Sequence, residues 1–208
     1  MPESMGVPQG AVRGATDAQL VLDLALTIRH DGHGGVADDL AEPAGLTVWV
    51  RERIATLDLF AADADALAAV RELRAAVRAL FAKAVRPGEP SPADARSLMP
   101  ESEAVARLNG AAALVPVVPV LDWSGAEPVT ALRPAAPADP LDVLLAELAR
   151  AAVAFLAGPD RAKLRACHAP RCVRYFLKGH PRQEWCKPSC GNRARVARHH
   201  ERHREDSL

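Results

Sequence analysis

The sequence predicts a mainly α protein in two parts: a helical N-terminal domain with one β-hairpin, and a small basic module ending in a helix. Three observations carry that prediction. Ala, Leu and Arg are abundant in a 208-residue chain whose aromatics make up only 4%, a composition that favours helix over sheet. Apolar residues recur at intervals of three and four in several segments bounded by Gly, Pro and capping residues. Charge is divided: residues 1–160 carry 13 Lys and Arg against 22 Asp and Glu, whereas residues 161–208 carry 13 against 4. The last stretch also holds all four Cys and five of the seven His. A formal net charge of zero thus conceals an acidic body (1–160) and a basic tail (161–208).

Composition also excludes. Hydrophobic residues at 49% and charged residues at 25% are near the globular average, which argues against wholesale disorder. No apolar run reaches the ~18–20 residues needed to span a bilayer. The opening MPESMGVPQG lacks the basic and apolar regions of a secretory signal. A cytoplasmic protein with no membrane partner is expected.

The first ten residues show no periodicity. Thr16 or Asp17 can cap a helix carrying Leu20, Val21, Leu24 and Ile28 on one face, ended by Asp31-Gly32-His33-Gly34-Gly35. A shorter helix is read from Pro43 to Arg53 around Leu46, Trp49 and Val50. The clearest spans Asp63 to Val85, with the stripe Leu67, Val70, Leu73, Val77, Leu80 and Phe81. Arg71, Glu72, Arg74 and Arg78 fall mostly off it. Arg86-Pro87-Gly88 stops this helix, Ser91-Pro92 restarts one, and Pro100 interrupts that segment before Leu108-Asn109.

Val115 to Leu121 is β-branched and apolar with Pro116 and Pro119 inside. With the turn Trp123–Glu127 and the return Val129–Leu132 it reads as a hairpin whose first strand is an edge. Asp139-Pro140 opens a helix burying Leu141, Leu144, Leu145, Leu148, Ala152, Phe155 and Leu156, closed by Gly158-Pro159.

The body commits to no reaction. Phosphate-loop, dinucleotide and nucleophile-elbow signatures are missing, and so is H-E-x-x-H. The Asp31–Gly35 run with Asp38-Asp39 reads as a connector, although His33 and Asp38 are its nearest approach to an enzyme site. Trp49 and Trp123 read as core or hairpin packing. No catalytic residue is assigned.

The tail reads Cys167-x4-Cys172-x13-Cys186-x3-Cys190. Two close pairs separated by a short stretch can gather four thiolates around one tetrahedral Zn²⁺. The alternatives are two disulfides, which a reducing cytosol disfavours, and an iron–sulfur cluster. A closed four-sulfur site leaves no open coordination position, so the metal is structural. His168-Ala169-Pro170-Arg171 makes a knuckle, Val173–Phe176 a strand, Lys178–Pro181 a turn, and Glu184-Trp185 a return strand. A knuckle pair and a helix-start pair give a treble-clef-like finger. His168, His180, His199 and His200 are expected to face solvent or a partner rather than the metal.

The last helix, from about Cys190 to Arg204, carries Arg193, Arg195, Arg198, Arg202 and Arg204 with three His, against Glu201 and Glu205. Complementing the helix dipole explains one or two arginines in the last turn, not a run beginning at Arg193. Phosphate neutralisation explains the run better. Arg193, Arg195, Arg198 and Arg202 are therefore candidate contacts to double-stranded DNA. Docking on the chain's own acidic body is a second reading. A protein-interaction or RNA-associated module without sequence preference is the alternative function.

The residues Cys167-x4-Cys172, Tyr175-Phe176, Trp185-Cys186 and above all Cys190-Gly191-Asn192-Arg193 resemble the CGNR-type zinc finger. Proteins of that type commonly carry an N-terminal domain called ABATE, proposed as a stress-induced transcription regulator of bacteria. Its opening, LDFxNT, is similar to Leu22-Asp23-Leu24-Ala25-Leu26-Thr27, with Leu26 where Asn is expected. The resemblance implies a zinc-binding, DNA-binding bacterial regulator. It leaves the helical domain to sense a small-molecule effector or to form a homodimer.

Overall fold

A computed structural model of the chain describes residues 17–33, 35–94 and 98–205; the first ten residues, Thr16 and Gly34 lie outside that range. Helix α1 (Asp17–Leu26) buries Val21, Leu22, Leu24 and Ala25, and it ends sooner than the spacing through Ile28 predicts. The Thr27 hydroxyl donates to the Leu24 carbonyl at 2.7 Å, and the chain turns into β1 (Ile28–His30). This strand pairs antiparallel with β2 (Val36–Asp38), Ile28 opposite Asp38. The Asp31–Gly35 segment therefore closes a hairpin, not a helix. Asp31 Oδ1 accepts from the His33 and Gly35 N–H groups, and Gly32 sits at φ +93°, where a side chain would be strained. Strands of three residues are too short for alternation to betray them.

Helix α2 (Pro43–Arg53) has the predicted bounds and buries Leu46, Trp49 and Val50. Helix α3 (Ala64–Ala84) is capped by Asp63, whose carboxylate accepts from the Ala66 N–H. All six residues of its predicted stripe are buried. Arg74 and Arg78 were expected mostly off the stripe, yet they are only 4% and 2% exposed; both are held by carboxylates, which is what makes burying a guanidinium tolerable.

Pro100 does not interrupt a helix. It precedes α4 (Glu101–Ala113) as the capping residue, in an extended conformation that its ring accepts. Ser91 opens no helix either: it is fully buried, and its hydroxyl donates to the Val173 carbonyl at 2.8 Å. The predicted hairpin is β3 (Val117–Asp122) and β4 (Val129–Pro134), Val117 opposite Pro134 and Asp122 opposite Val129. It projects with Leu121, Trp123 and Leu132 exposed, so Trp123 is no core residue. Helix α5 (Pro140–Ala157), capped by Asp139 through the Leu141 N–H, packs against α1, α3 and α4. Phe155, near the C-terminal end of α5, meets Phe81 of α3 with ring centroids 5.4 Å apart.

Strand β5 (Leu164–Ala166) pairs antiparallel with β6 (Tyr175–Leu177), and α6 (Pro188–Glu205) follows. The predicted partner of β6, Glu184-Trp185, forms no strand: the upstream segment before the knuckle takes the ladder instead. Leu164, Ala166 and Tyr175 join the core of the helical body. No helix among the described residues is long and apolar enough to cross a membrane.

Candidate metal centre and basic helix

Three local structures bring the cysteines together. Cys167 directly follows β5, and its N–H donates to the Arg174 carbonyl at 2.9 Å, while the Cys172 N–H donates to Ala169 at 2.9 Å. These bonds close the knuckle, which forces Arg171 to φ +63°. Cys186 follows Trp185 in the loop after β6. Cys190 lies in the first turn of α6, its N–H donating to the Lys187 carbonyl at 3.0 Å.

All four Sγ atoms lie within 4.8 Å of one another, and Cys167, Cys172 and Cys190 are buried. Cys172 and Cys186 Sγ are 3.7 Å apart, Cys186 and Cys190 3.5 Å. A tetrahedron built on Zn–S bonds of ~2.3 Å has edges of about 3.8 Å, so the donor set fits one zinc ion. As bare thiols Cys167, Cys172 and Cys186 conflict. Cys167 is held far below the ordinary thiol range, chiefly because the Cys172 thiol and then that of Cys186 donate to it. Cys172 is pushed up to about 11, chiefly by its hydrogen bond to Cys167, and Cys186 is pushed up further through Cys167 and Cys172. A divalent cation removes the conflict by accepting all four as thiolates. His168, His180, His199 and His200 are exposed, outside the sulfur cluster.

The segment after Cys186 is tied to the metal centre residue by residue. Cys190 supplies a sulfur. At Gly191 a Cβ would stand 3.0 Å from Cδ1 of Trp185, so the indole packs where any side chain would intrude. Asn192 accepts a hydrogen bond from Arg195. Arg193 donates from Nη2 to Cys190 Sγ at 3.1 Å, which places its charge beside that sulfur.

Arg195, Arg198 and Arg202 are exposed on α6, whereas Arg193 is half-buried. Arg198 and Arg202 lie back along the helix, their Nε atoms donating to the Ala194 and Arg198 carbonyls at 3.4 and 3.3 Å. Among the described residues none of these arginines pairs with a carboxylate.

Two family models match the chain. One, described as "Putative stress-induced transcription regulator" and named ABATE, covers residues 18–159. The chain belongs to the ABATE family. A second model, the CGNR zinc finger, covers residues 163–203 and contains all four cysteines. No curated protein matches the chain. Both families are described in regulatory or zinc-finger terms, and Asp38, the acidic half of the enzyme site weighed from sequence, is already engaged by a guanidinium.

That engagement belongs to two ion-pair networks that sequence reasoning missed. Arg74 donates to both Asp38 oxygens at 2.5 and 2.7 Å and to Thr27 Oγ1 at 2.9 Å, which fastens the β1–β2 hairpin to α3. Burial opposes ionisation of Asp38. The Arg74 hydrogen bond and charge, the Leu40 N–H and Arg71 together outweigh it, and the carboxyl is held below its ordinary range. Arg78 grips both Asp94 oxygens at 2.8 and 3.0 Å and donates to the Ala25 carbonyl at 2.6 Å. The Tyr175 hydroxyl donates to Asp94 at 2.7 Å and accepts from the Ser91 N–H at 3.3 Å, and Arg78 stacks over its ring. Burial and then Asp94 push the Tyr175 phenol well above its usual value. The ABATE helices and the finger are thereby joined through buried polar contacts. The sequence signal for this was present but unread: arginines at 74 and 78, one turn apart, beside the apolar stripe.

Proposed function

We propose that the ABATE chain is a DNA-binding regulator in which α6 contacts the duplex backbone. What supports this is the run of exposed arginines on α6, Arg195, Arg198 and Arg202, which make no ion pair among the described residues and sit on a helix that begins at the cysteine cluster. Arg195, Arg198 and Arg202 contact phosphates or base edges, and Arg193 adds its charge from beside Cys190. The zinc orders the finger and does no chemistry on the nucleic acid.

Cation-to-phosphate contacts release counterions, so duplex affinity falls linearly on a log–log salt plot, with a slope of about 0.9 per phosphate contacted. The zinc-loaded chain should bind a labelled duplex with such a slope. Arg195→Glu/Arg198→Glu should weaken binding by about tenfold or more and flatten the slope by roughly two contacts. Unchanged affinity would remove the proposal. Binding to single-stranded RNA in preference to duplex would favour an RNA-associated module.

A further inference from the structure

We propose that a cleft between the β1–β2 hairpin and the cysteine knuckle binds the phosphate group of a small molecule. The cleft, of about 350 Å³, is lined by Arg29 and His30 from the hairpin side and by Arg171, Arg174, Lys187 and Arg193 from the finger; no carboxylate lines it. Its size is at the small end for ligand pockets and suits a phosphate with a modest organic group.

Two residues of this lining each carry a buried side-chain nitrogen with no hydrogen-bond partner among the described residues. His30 Nδ1 accepts from the Gly32 N–H at 2.8 Å, and its Nε2 is buried without a hydrogen bond among the described residues. Arg193 Nε is also buried and unpaired. Buried donors almost always meet an acceptor. Both nitrogens belong to residues of a cleft whose lining is rich in cationic side chains and, among the described residues, lacks acidic ones, so an acceptor for this cleft comes from outside.

Charge says what kind of acceptor. Arg29 is neutralised by Asp39 at 2.6 Å, and Arg193 leans on Cys190. Arg171, Arg174 and Lys187 have no ion pair among the described residues. A tetrahedral dianion offers acceptor oxygens to donors converging from several directions, which a single carboxylate does not. The arginine at position 171 is also held at φ +63°, where Gly or Asn costs less. Offsetting the charge of the cysteine cluster does not account for all of these cations: among the described residues only Arg193 hydrogen-bonds a sulfur.

The inference shares only Arg193 with the duplex reading, because Arg195, Arg198 and Arg202 lie outside this lining. It is tested by calorimetric titration of the zinc-loaded full chain with inorganic phosphate and with pyrophosphate, at constant ionic strength in chloride. Saturable binding at one site per chain is expected. Arg174→Gln/Lys187→Gln should weaken it about tenfold or more while zinc content stays at one per chain. Arg198→Gln/Arg202→Gln should leave it unchanged. Four results overturn the proposal: no saturation, insensitivity to the cleft pair, equal loss with the α6 pair, or zinc loss in the cleft pair without phosphate binding. Duplex binding measured on the same variants separates the two readings. If the cleft pair abolishes duplex binding and phosphate does not saturate, the cleft serves nucleic-acid backbone and the small-molecule site is refuted.

Discussion

Arg78 is a buried cation whose removal exposes how the molecule is joined. Arg78→Met would leave Asp94 buried with only the Tyr175 hydroxyl beside it. Breaking a buried pair from one side costs about 3–5 kcal/mol, and urea denaturation should show a loss of that order. Tyr175→Phe removes a hydroxyl that donates to Asp94 and accepts from the Ser91 N–H, and should cost about 1–3 kcal/mol. Asp38 makes a pH prediction. Its folded pKa is lowered, so its contribution to stability is complete above the unfolded value of ~3.9 and is lost as pH falls through the lower folded value. The stability difference between wild type and Asp38→Asn should therefore be constant near neutrality and shrink below about pH 4. A difference that grows on acidification would contradict the assignment.

Among the elements, the finger is held from two directions: the metal orders the knuckle and the start of α6, while β5 and β6 are packed into the helical core. Cys186→Ser should lose stoichiometric zinc and loosen α6 and the 178–190 loop, read as new protease sites there. Most of the helical circular dichroism of α1 to α5 should persist. Helices α3 and α5 were legible because long apolar stripes and the Asp63 and Asp139 caps state their bounds, and α2 because Pro43 opens it and Leu46, Trp49 and Val50 share a face. The cysteine centre was legible because two close Cys pairs leave little choice of geometry. The β1–β2 and β5–β6 pairings were not, because three-residue strands carry no periodicity and their register is fixed by distant partners such as Asp38–Arg74. Arg74 and Arg78 were misjudged for a related reason: a charge at the margin of a stripe reads as solvated unless its carboxylate partner, 16 or 36 residues away, is known.

Taken whole, the acidic-body and basic-tail division of the sequence does not become two independent bodies. A tyrosine from the finger reaches the ABATE core, a serine from the α3–α4 connection reaches the finger backbone, and the β1–β2 hairpin faces the knuckle across a basic cleft. On α6, Arg195, Arg198 and Arg202 make no ion pair among the described residues. Everything that gives this helix a fixed direction rests on the coordination of one zinc by four sulfurs. Zinc-edge X-ray absorption on the purified chain tests that most directly. The expected spectrum is one zinc per chain with four sulfur neighbours at ~2.3 Å and no nitrogen. A shell containing histidine nitrogen, or protein free of zinc with its cysteines oxidised in pairs, would contradict it.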